Sequence, residues 1–374
     1  MTQPPPAEIG MPVDDVDTPA LVIELDPFER NLRLMADRVR VLGVALRPHA
    51  KMHKSPKIAA LQFKLGAVGP CCQKLSEAEV LVDGGVVDIF VSNQVVGRRK
   101  IDRLAALARR AKVSVCVDDP TNLADLAAAA AAHDTNLDVL VEIDVGSGRC
   151  GVRHSQDAVT LARQVDAASH LTFAGLQAYH GGAQHIRSHA ERRAAIFAAA
   201  EKVRATKAAL SGAGLYCPKV TGAGTGSFAF EAEAGEWDEF QCGSYAFMDA
   251  DYARNLLEDG SRFTTFEQSL FVLATVMSRP ENGLAVVDAG LKAIAVDSGY
   301  AVPHELPGVD YVGASDEHGK LALSPSEPAL VLGDKIRLIP GHCDPTVNLH
   351  DWYVCIRNDV VEDVWPVAAR GAVF

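Results

Sequence analysis

The sequence lacks the features that mark several classes of protein. None of its 374 residues fall in an apolar run close to the roughly 20 residues needed to span a bilayer. The opening stretch, residues 1–6, has neither the basic start nor the apolar core of a secretory signal peptide. The eight cysteines are scattered and form no CxxC pair of the zinc-binding type. We therefore expect free thiols and a cytoplasmic location.

Basic residues are also fewer than acidic ones. Acidic residues number 48 and basic residues 36, so the net charge is -12. This balance argues against nucleic acid and anionic membranes as partners and favours solubility. Hydrophobic residues make up 48% and charged residues 22% of the chain, which is typical of a globular protein with a sizeable core.

Strand-like and helix-like patterns alternate over the first two thirds of the chain. Asp26-Pro27 predicts the start of a helix that runs to about residue 42. Further helices are expected at 121–133 and 188–212. Strand-like runs lie near 44–48, 67–72, 87–92, 113–117, 138–143, 172–177, 217–221 and 239–243. Eight such units predict an α/β fold built on a (β/α)8 TIM-type barrel.

The pattern changes near residue 266, where short β runs at 270–277, 284–288, 334–339 and 351–356 replace the helices. We interpret residues 27–265 as the barrel and residues 266–374 as a second, mainly β domain. Residues 1–17, rich in proline and acidic residues, are expected to form a flexible arm. Residues 18–25 form one more β-like run.

Polar side chains follow most of the predicted barrel strands, at the end where barrels place their chemistry. They are Lys51, Gln73, Asp144, Arg149, Tyr179, His180, Thr225 and the segment 243–245. Loops are polar in any protein, so this enrichment has weight only together with more specific motifs.

Lys51 lies in the segment 47–54, just beyond a short apolar run. A lysine there can enter a pocket, lose hydration and fall in pKa until its amine attacks a carbonyl. A solvated basic turn is the alternative interpretation.

Two glycine-containing loops, 222–227 and 243–245, follow the last two predicted strands. Glycines let backbone N–H groups approach and surround an anion, and barrels commonly bind phosphate at this position. A flexible turn is the alternative, and no Walker Gly-Lys-Ser/Thr motif is present. Together with an upstream lysine, the loops indicate a phosphorylated aldehyde cofactor, pyridoxal 5′-phosphate.

Five motifs, spread from residue 47 to residue 346, resemble one family of enzymes. They are the segments 47–54, 71–74, 142–151, 243–249 and 341–346. The chain resembles the D-threonine aldolase and 3-hydroxy-D-aspartate aldolase family, with D-serine dehydratases as more distant relatives. These proteins have the alanine-racemase-like fold of pyridoxal-phosphate enzymes (fold type III), and in them the first strand pairs with the C-terminal domain. Residues 18–26 are accordingly assigned to the β domain.

The resemblance implies roles for individual residues. Lys51 would link to the cofactor aldehyde, and Arg149 would face the pyridine nitrogen, which makes the ring a weaker electron sink than one paired with aspartate. The other residues implied to contact the cofactor are Gln73 and Tyr179 near the ring and Thr225, Gly243, Ser244 and Tyr252 at the phosphate.

His342 and Asp344 form a candidate metal pair. On an extended chain, residues two apart point to the same side, with Cys343 between them pointing away. A histidine with a carboxylate favours Mn²⁺ or Mg²⁺. A turn histidine with a capping aspartate is the alternative, but in the family His-x-Asp marks the aldolases and His-x-Cys the dehydratase relatives.

The resemblance predicts metal-dependent cleavage of D-3-hydroxy-α-amino acids to glycine and an aldehyde, with His180 or a metal-bound water as the base. Three alternatives remain open: a 3-hydroxy-D-aspartate aldolase releasing glyoxylate, a dehydratase, and a non-catalytic carrier of the cofactor. A substrate side-chain carboxylate would need a basic partner such as Arg254 or His318. Relatives of this fold pair head-to-tail, so we expect a homodimer. The physiological substrate and the native metal are left open.

Overall fold

The computed structural model describes residues 4–324 and 330–374. The helices are α1 Leu25–Leu42, α2 Pro56–Lys64, α3 Leu75–Asp83, α4 Arg98–Leu107, α5 Pro120–His133, α6 Ser155–Asp166, α7 His189–Gly212, α8 Phe228–Ala234 and α9 Cys343–Val347. The strands are β1 Ala20–Glu24, β2 Ala45–Leu46, β3 Cys71–Cys72, β4 Asp88–Gln94, β5 Lys112–Val117, β6 Leu137–Glu142, β7 Leu171–Ala178, β8 Val220–Gly222, β9 Glu239–Phe240, β10 Leu270–Glu281, β11 Leu284–Val287, β12 Val302–Pro303, β13 Val309–Ala314, β14 Gly319–Leu323, β15 Lys335–Ile339, β16 Trp352–Arg357 and β17 Val360–Pro366.

Strands β2 to β9 form one parallel sheet, in the order β2-β9-β8-β7-β6-β5-β4-β3. The sheet closes on itself where β2 and β3 meet, through a bridge between His49 and Cys71 and a 2.9 Å hydrogen bond from the N–H of Cys71 to the carbonyl of Pro48. The helices cover its outer face and bury an apolar core against it. The expected (β/α)8 barrel with a mainly β domain is confirmed.

Helix α1 illustrates why these segments become helices. It begins with a proline in the first turn, where the missing N–H costs nothing, and it ends at Gly43, which adopts φ +68°. Phe28, Leu32, Met35 and Val39 are buried at helical spacing, so one face packs on the barrel.

The second domain is a mixed sheet in the order β13-β14-β11-β10-β1-β16-β17, with β15 joining β10 to β12. Strand β1 lies between β10, to which it is antiparallel, and β16, to which it is parallel. The chain start is therefore part of this sheet, as the resemblance implied. Sequence reasoning missed β12, β13, β14 and β17, which lie at or near the margins of the sheet, where apolar runs are short.

Residues 4–17 correct the expectation of a flexible arm, and residues 1–3 lie outside the described part of the chain. The N–H of Gly10 donates to the carbonyl of Val361 at 2.8 Å, and that of Val13 donates to Asp359 at 2.9 Å. Ala7, Val13 and Val16 are buried in a small apolar cluster on the β domain. These apolar residues, spaced among the prolines and carboxylates, bury enough surface to hold the segment in place.

Two backbone hydrogen bonds between the domains position the functional site. The backbone N–H of Ala250 donates to Pro340 at 3.0 Å, and that of Asp251 donates to Gly341 at 3.1 Å. These bonds bring the β-domain loop before α9 onto the rim of the barrel. Within residues 4–324 and 330–374, no helix has the length and apolar character that crossing a membrane requires.

Candidate active site

A cavity of about 450 Å³ lies at the carboxyl ends of the barrel strands. Parallel strands deliver the residues that follow them to this one rim, so positions far apart in sequence converge there. All eight residues predicted to contact the cofactor line the cavity: Lys51, Gln73, Arg149, Tyr179, Thr225, Gly243, Ser244 and Tyr252.

Lys51 lies in a short 3₁₀ turn, Ala50–Met52, directly after the bridge that closes the barrel. Its backbone N–H donates to Nδ1 of His49 at 3.2 Å, and its ammonium forms an ion pair with Asp344. Burial by itself would lower the pKa of Lys51, but the carboxylate of Asp344 outweighs burial and raises that pKa. The expected fall in the lysine pKa is therefore wrong for this arrangement, and the ion pair with Asp344 is the reason.

The glycine loops have the geometry of an anion cradle. In the described part of the chain, the backbone N–H groups of Gly224, Thr225, Gly243 and Ser244 donate to no protein acceptor. A Cβ on Gly243 would lie 2.8 Å from the carbonyl oxygen of His49, and one on Gly224 would lie 2.4 Å from Oε1 of Gln184. At Gly243, where the neighbouring atom belongs to the backbone, glycine is thus required for this close approach, and the free N–H groups fit a phosphate.

Arg149 and Tyr179 lie at another wall of the cavity. The guanidinium of Arg149 is 5.9 Å from the centre of the Tyr179 ring and 3.9 Å from a carboxylate oxygen of Glu142. The loop that carries Arg149 is shaped by Asp144, whose Oδ1 accepts the N–H groups of Gly146 and Gly148, both at 3.0 Å. Asp144 therefore builds the loop that presents the arginine.

His180, the base expected from the sequence, is not among the residues that line the cavity. Its ring lies over Gly146, and its Nδ1 accepts the N–H of Ala183 at 3.3 Å at the start of a 3₁₀ turn. His185, at the end of the same turn, lines the cavity instead. Nδ1 of His185 lies 2.6 Å from Oδ2 of Asp251, so its Nε2 is the nitrogen left for other partners. Sequence reasoning missed His185 because the conformation of the short turn Gly181–His185 decides whether His180 or His185 faces the cavity, and no periodic pattern predicts that conformation.

His342 and Asp344 are brought together, but not on an extended strand. Asp344 lies in the first turn of α9, and Nε2 of His342 is 3.6 Å from Oδ2 of Asp344. Nδ1 of His342 lies 2.7 Å from a carboxylate oxygen of Asp297. Cys343 does not simply point away: it is buried, with its Sγ 3.3 Å from Oδ2 of Asp344. Among the described residues, no group of three or more histidine, cysteine, aspartate or glutamate side chains is placed to hold a metal ion.

Sequence reasoning missed other residues that line the cavity. His49 lines the wall beside Lys51, and Gln177 and Gln241 form the floor, with Nε2 of Gln241 donating to Oε1 of Gln177 at 2.6 Å. Strand alternation offers the one usable signal, since Gln177 falls on the inward side near the end of β7. Arg254 and His318 do not line the cavity, and the guanidinium of Arg254 donates to the carbonyl of Ser298 at 2.7 Å.

Comparison with known proteins gives two family matches. The family described as "Alanine racemase, N-terminal domain" matches residues 23–251, and "Putative serine dehydratase domain" matches residues 269–356. A 3-hydroxy-D-aspartate aldolase of Paracoccus denitrificans (strain Pd 1222) is 50% identical over 98% of this chain and 95% of its own length. A D-threonine aldolase of an Arthrobacter species is 49% identical over 98% of this chain and 96% of its own length.

The chain belongs to the D-threonine aldolase and 3-hydroxy-D-aspartate aldolase family. The crystal structure of D-threonine aldolase from Filomicrobium marinum superposes with a TM-score of 0.96, at 51% identity, over 100% of both chains. A D-threo-3-hydroxyaspartate dehydratase of a Delftia species is more distant, at 30% identity over 94% of this chain and 97% of its own length. Membership makes the chain a carbon–carbon lyase, and its alanine-racemase-like fold implies pyridoxal phosphate.

Proposed function

We propose that the chain cleaves D-3-hydroxy-α-amino acids of the D-threonine type to glycine and an aldehyde, using pyridoxal 5′-phosphate and a divalent metal ion. The observation that carries the proposal is the contact between Lys51 and Asp344. This contact places the lysine of the cavity, which also contains the anion cradle, beside the histidine–carboxylate pair His342 and Asp344. Relatives of similar length named as D-threonine and 3-hydroxy-D-aspartate aldolases support it.

The residues that would hold the cofactor fit its chemistry. Lys51 would form the covalent link, the free N–H groups of the two glycine loops would bind the phosphate, and Arg149 would face the ring nitrogen. The cofactor supplies an electron sink for the charge left on Cα when the Cα–Cβ bond breaks. The half-exposed guanidinium of Arg149, beside the Tyr179 ring, places a fixed positive charge near that end of the cavity.

His342 and Asp344 would hold the metal ion. Their nearest donor atoms lie 3.6 Å apart, close enough to share one ion, and nitrogen with carboxylate oxygen suits Mn²⁺ or Mg²⁺ completed by water. Such an ion supplies Lewis acidity that lowers the pKa of a bound hydroxyl. Nδ1 of His342 is engaged by Asp297, which leaves Nε2 on the side of Asp344.

We assign the base to His185 in place of His180. The carboxylate of Asp251 accepts the Nδ1 proton of His185, so Nε2 is the atom that takes the proton of the substrate hydroxyl. The guanidinium of Arg187 also contacts Asp251 and helps to hold this carboxylate in place. A metal-bound water is the alternative base, and it would leave a His185→Gln variant active.

A product assay distinguishes the candidate functions. Incubation with D-threonine, D-phenylserine and erythro-3-hydroxy-D-aspartate should release glycine and the matching aldehyde. A keto acid with ammonia would show a dehydratase, and no product with any substrate would favour the non-catalytic carrier. Chelation should abolish cleavage, and added Mn²⁺ or Mg²⁺ should restore it. His185→Gln should lower kcat by about 10²-fold or more, whereas the matched His180→Gln should not.

A 3-hydroxy-D-aspartate substrate is the second candidate, supported by the 50% identical relative of that name. Its side-chain carboxylate would need a basic partner, and the basic residues that line the cavity are His49, Lys51, Arg149 and His185 rather than Arg254 or His318. The ratio of kcat/KM for erythro-3-hydroxy-D-aspartate to that for D-threonine decides between the two.

We also propose a homodimer in the cytoplasm. The resemblance to two-domain relatives that pair head-to-tail supports the dimer, and eight free cysteines support a reducing compartment. Light scattering at micromolar concentration tests the dimer, and fractionation of cells tests the location.

A further inference from the structure

Asp249 is buried, with none of its surface exposed, and it does not line the cavity. Its two carboxylate oxygens accept backbone N–H groups from different domains. Oδ1 accepts from Tyr252 of the barrel at 2.9 Å, and Oδ2 accepts from Cys343 of the β domain at 3.0 Å. One side chain therefore connects two segments that lie about 90 residues apart in sequence.

Both of these segments belong to the site. Tyr252 lines the cavity near the glycine loops, and Cys343 lies between His342 and Asp344. The two backbone bonds from Ala250 and Asp251 to residues 340 and 341 run beside Asp249 and continue the same connection. The Tyr252 segment and the loop that carries the candidate metal pair are thus held by one shared side chain.

We propose that Asp249 is a positioning residue that couples the phosphate end of the cavity to the His342–Asp344 pair, so that a ligand at one strengthens binding at the other. The inference rests on the proposed function, since it concerns the sites for the cofactor and the metal. Hydrogen bonds from N–H groups to a buried carboxylate are stronger than those to a neutral acceptor, and a carboxylate has two oxygens for two donors. Coupling of this kind is reciprocal between the two ligands.

The test measures binding and not turnover. Mn²⁺ would be titrated into cofactor-free protein by electron paramagnetic resonance, with and without saturating pyridoxine 5′-phosphate. This analogue has an alcohol in place of the aldehyde and cannot link to Lys51, so it reports the effect of the ring and phosphate alone. In the wild-type protein the analogue should lower the Kd of Mn²⁺ by about tenfold, the effect of one charge-assisted hydrogen bond.

Two variants remove the connection to different degrees. Asp249→Ala deletes both acceptors, and the ratio of the two Mn²⁺ dissociation constants should fall most of the way to one, with any remainder due to the direct contact between Lys51 and Asp344. Asp249→Asn keeps the size of the side chain but has one oxygen for two donors, so the ratio should fall to an intermediate value. Asp259→Asn is the matched control, because Asp259 accepts the N–H of Ser261 at 2.9 Å in an exposed turn outside the site. Its ratio should equal that of the wild-type protein.

The outcomes separate the two proposals. If the wild-type protein binds neither Mn²⁺ nor the analogue, the proposed function fails and the inference fails with it. If it binds both, but the analogue leaves Mn²⁺ binding unchanged or Asp249→Ala keeps the wild-type ratio, the inference alone is overturned. Should Asp249→Ala not fold, the ratio of the Asp249→Asn protein decides the question.

Discussion

Glu77 offers a quantitative test of how the wall of the cavity is supported. It is 3% exposed at the start of α3, and its Oε1 lies 2.5 Å from the ammonium of Lys54, which is itself buried. Its Oε2 accepts the backbone N–H groups of Gln73 and Lys74, both at 3.0 Å. Glu77 thus neutralises a buried charge three residues beyond Lys51 and also holds Gln73, a cavity residue.

The expected loss in the free energy of unfolding depends on which member of the Lys54–Glu77 ion pair remains in the variant. Glu77→Gln strands the ammonium of Lys54 in a buried place, and removing one partner of a buried ion pair costs about 3–5 kcal/mol. Glu77→Ala also deletes the cap on the first turn of α3, which adds about 1 kcal/mol. Lys54→Met with Glu77→Gln removes the stranded charge, so the double variant should recover about 2 kcal/mol or more relative to Glu77→Gln.

Urea unfolding, followed by the fluorescence of the three tryptophans, measures these differences against Glu79→Gln. Glu79 lies on the same helix and pairs with Arg103 in a more exposed place, so its loss should cost about 1 kcal/mol or less. The reasoning is refuted if Glu77→Gln costs no more than this control, or if the double variant is less stable than Glu77→Gln.

Three further predictions concern the cavity and its support. Borohydride reduction of the cofactor-loaded protein, followed by peptide mapping, should place the label on Lys51; a label on Lys54, which Glu77 holds, or on Lys74 would contradict the assignment. Gly243→Ala should weaken the binding of pyridoxal phosphate by about tenfold or more, because its Cβ would lie 2.8 Å from the carbonyl of His49. Gly212→Ala, at the end of α7 with open space around it and no positive φ, is the matched control; equal affinities measured by cofactor titration would disprove this. Burial raises the pKa of Glu231 to about 8, so the folded state holds a proton that the unfolded state has lost, and this group's contribution to stability should fall as the pH rises from about 4.5 to 8. Buried histidines such as His49, His53 and His350 have lowered pKa values and contribute the opposite slope, so the test is the difference in urea midpoint between the wild-type protein and Glu231→Gln: it should shift against the wild-type protein as the pH rises, and a difference that does not change with pH would contradict the prediction.

Much of the architecture follows from local patterns in the chain. The alternation of apolar runs with helical spacing predicted the barrel, because each strand and each helix must bury one face against its neighbours. In a parallel barrel the residues that follow each strand lie at one rim, which is why all eight predicted cofactor contacts line a single cavity. Lys51 and the glycine loops were identifiable because their chemistry depends on residue type and on position after a strand.

Side-chain direction in irregular segments was decided only by the tertiary structure. Sequence reasoning named His180 alone, but a short 3₁₀ turn directs His185 into the cavity and uses His180 as a cap. His342 and Asp344 do meet, but through the first turn of α9 and not through an extended strand. Such outcomes depend on backbone angles that neighbouring segments impose.

The sequence by itself determined the repeating elements and the position of the candidate lysine and the glycine loops at the barrel rim, because these depend on interactions within a few residues or on the geometry common to all parallel barrels. The packing of residues 4–17, the reversal of the expected Lys51 pKa shift by Asp344 and the bridge made by Asp249 needed the folded chain. Each depends on a contact between residues far apart in sequence, and the energy of such a contact is set by distance and burial in three dimensions.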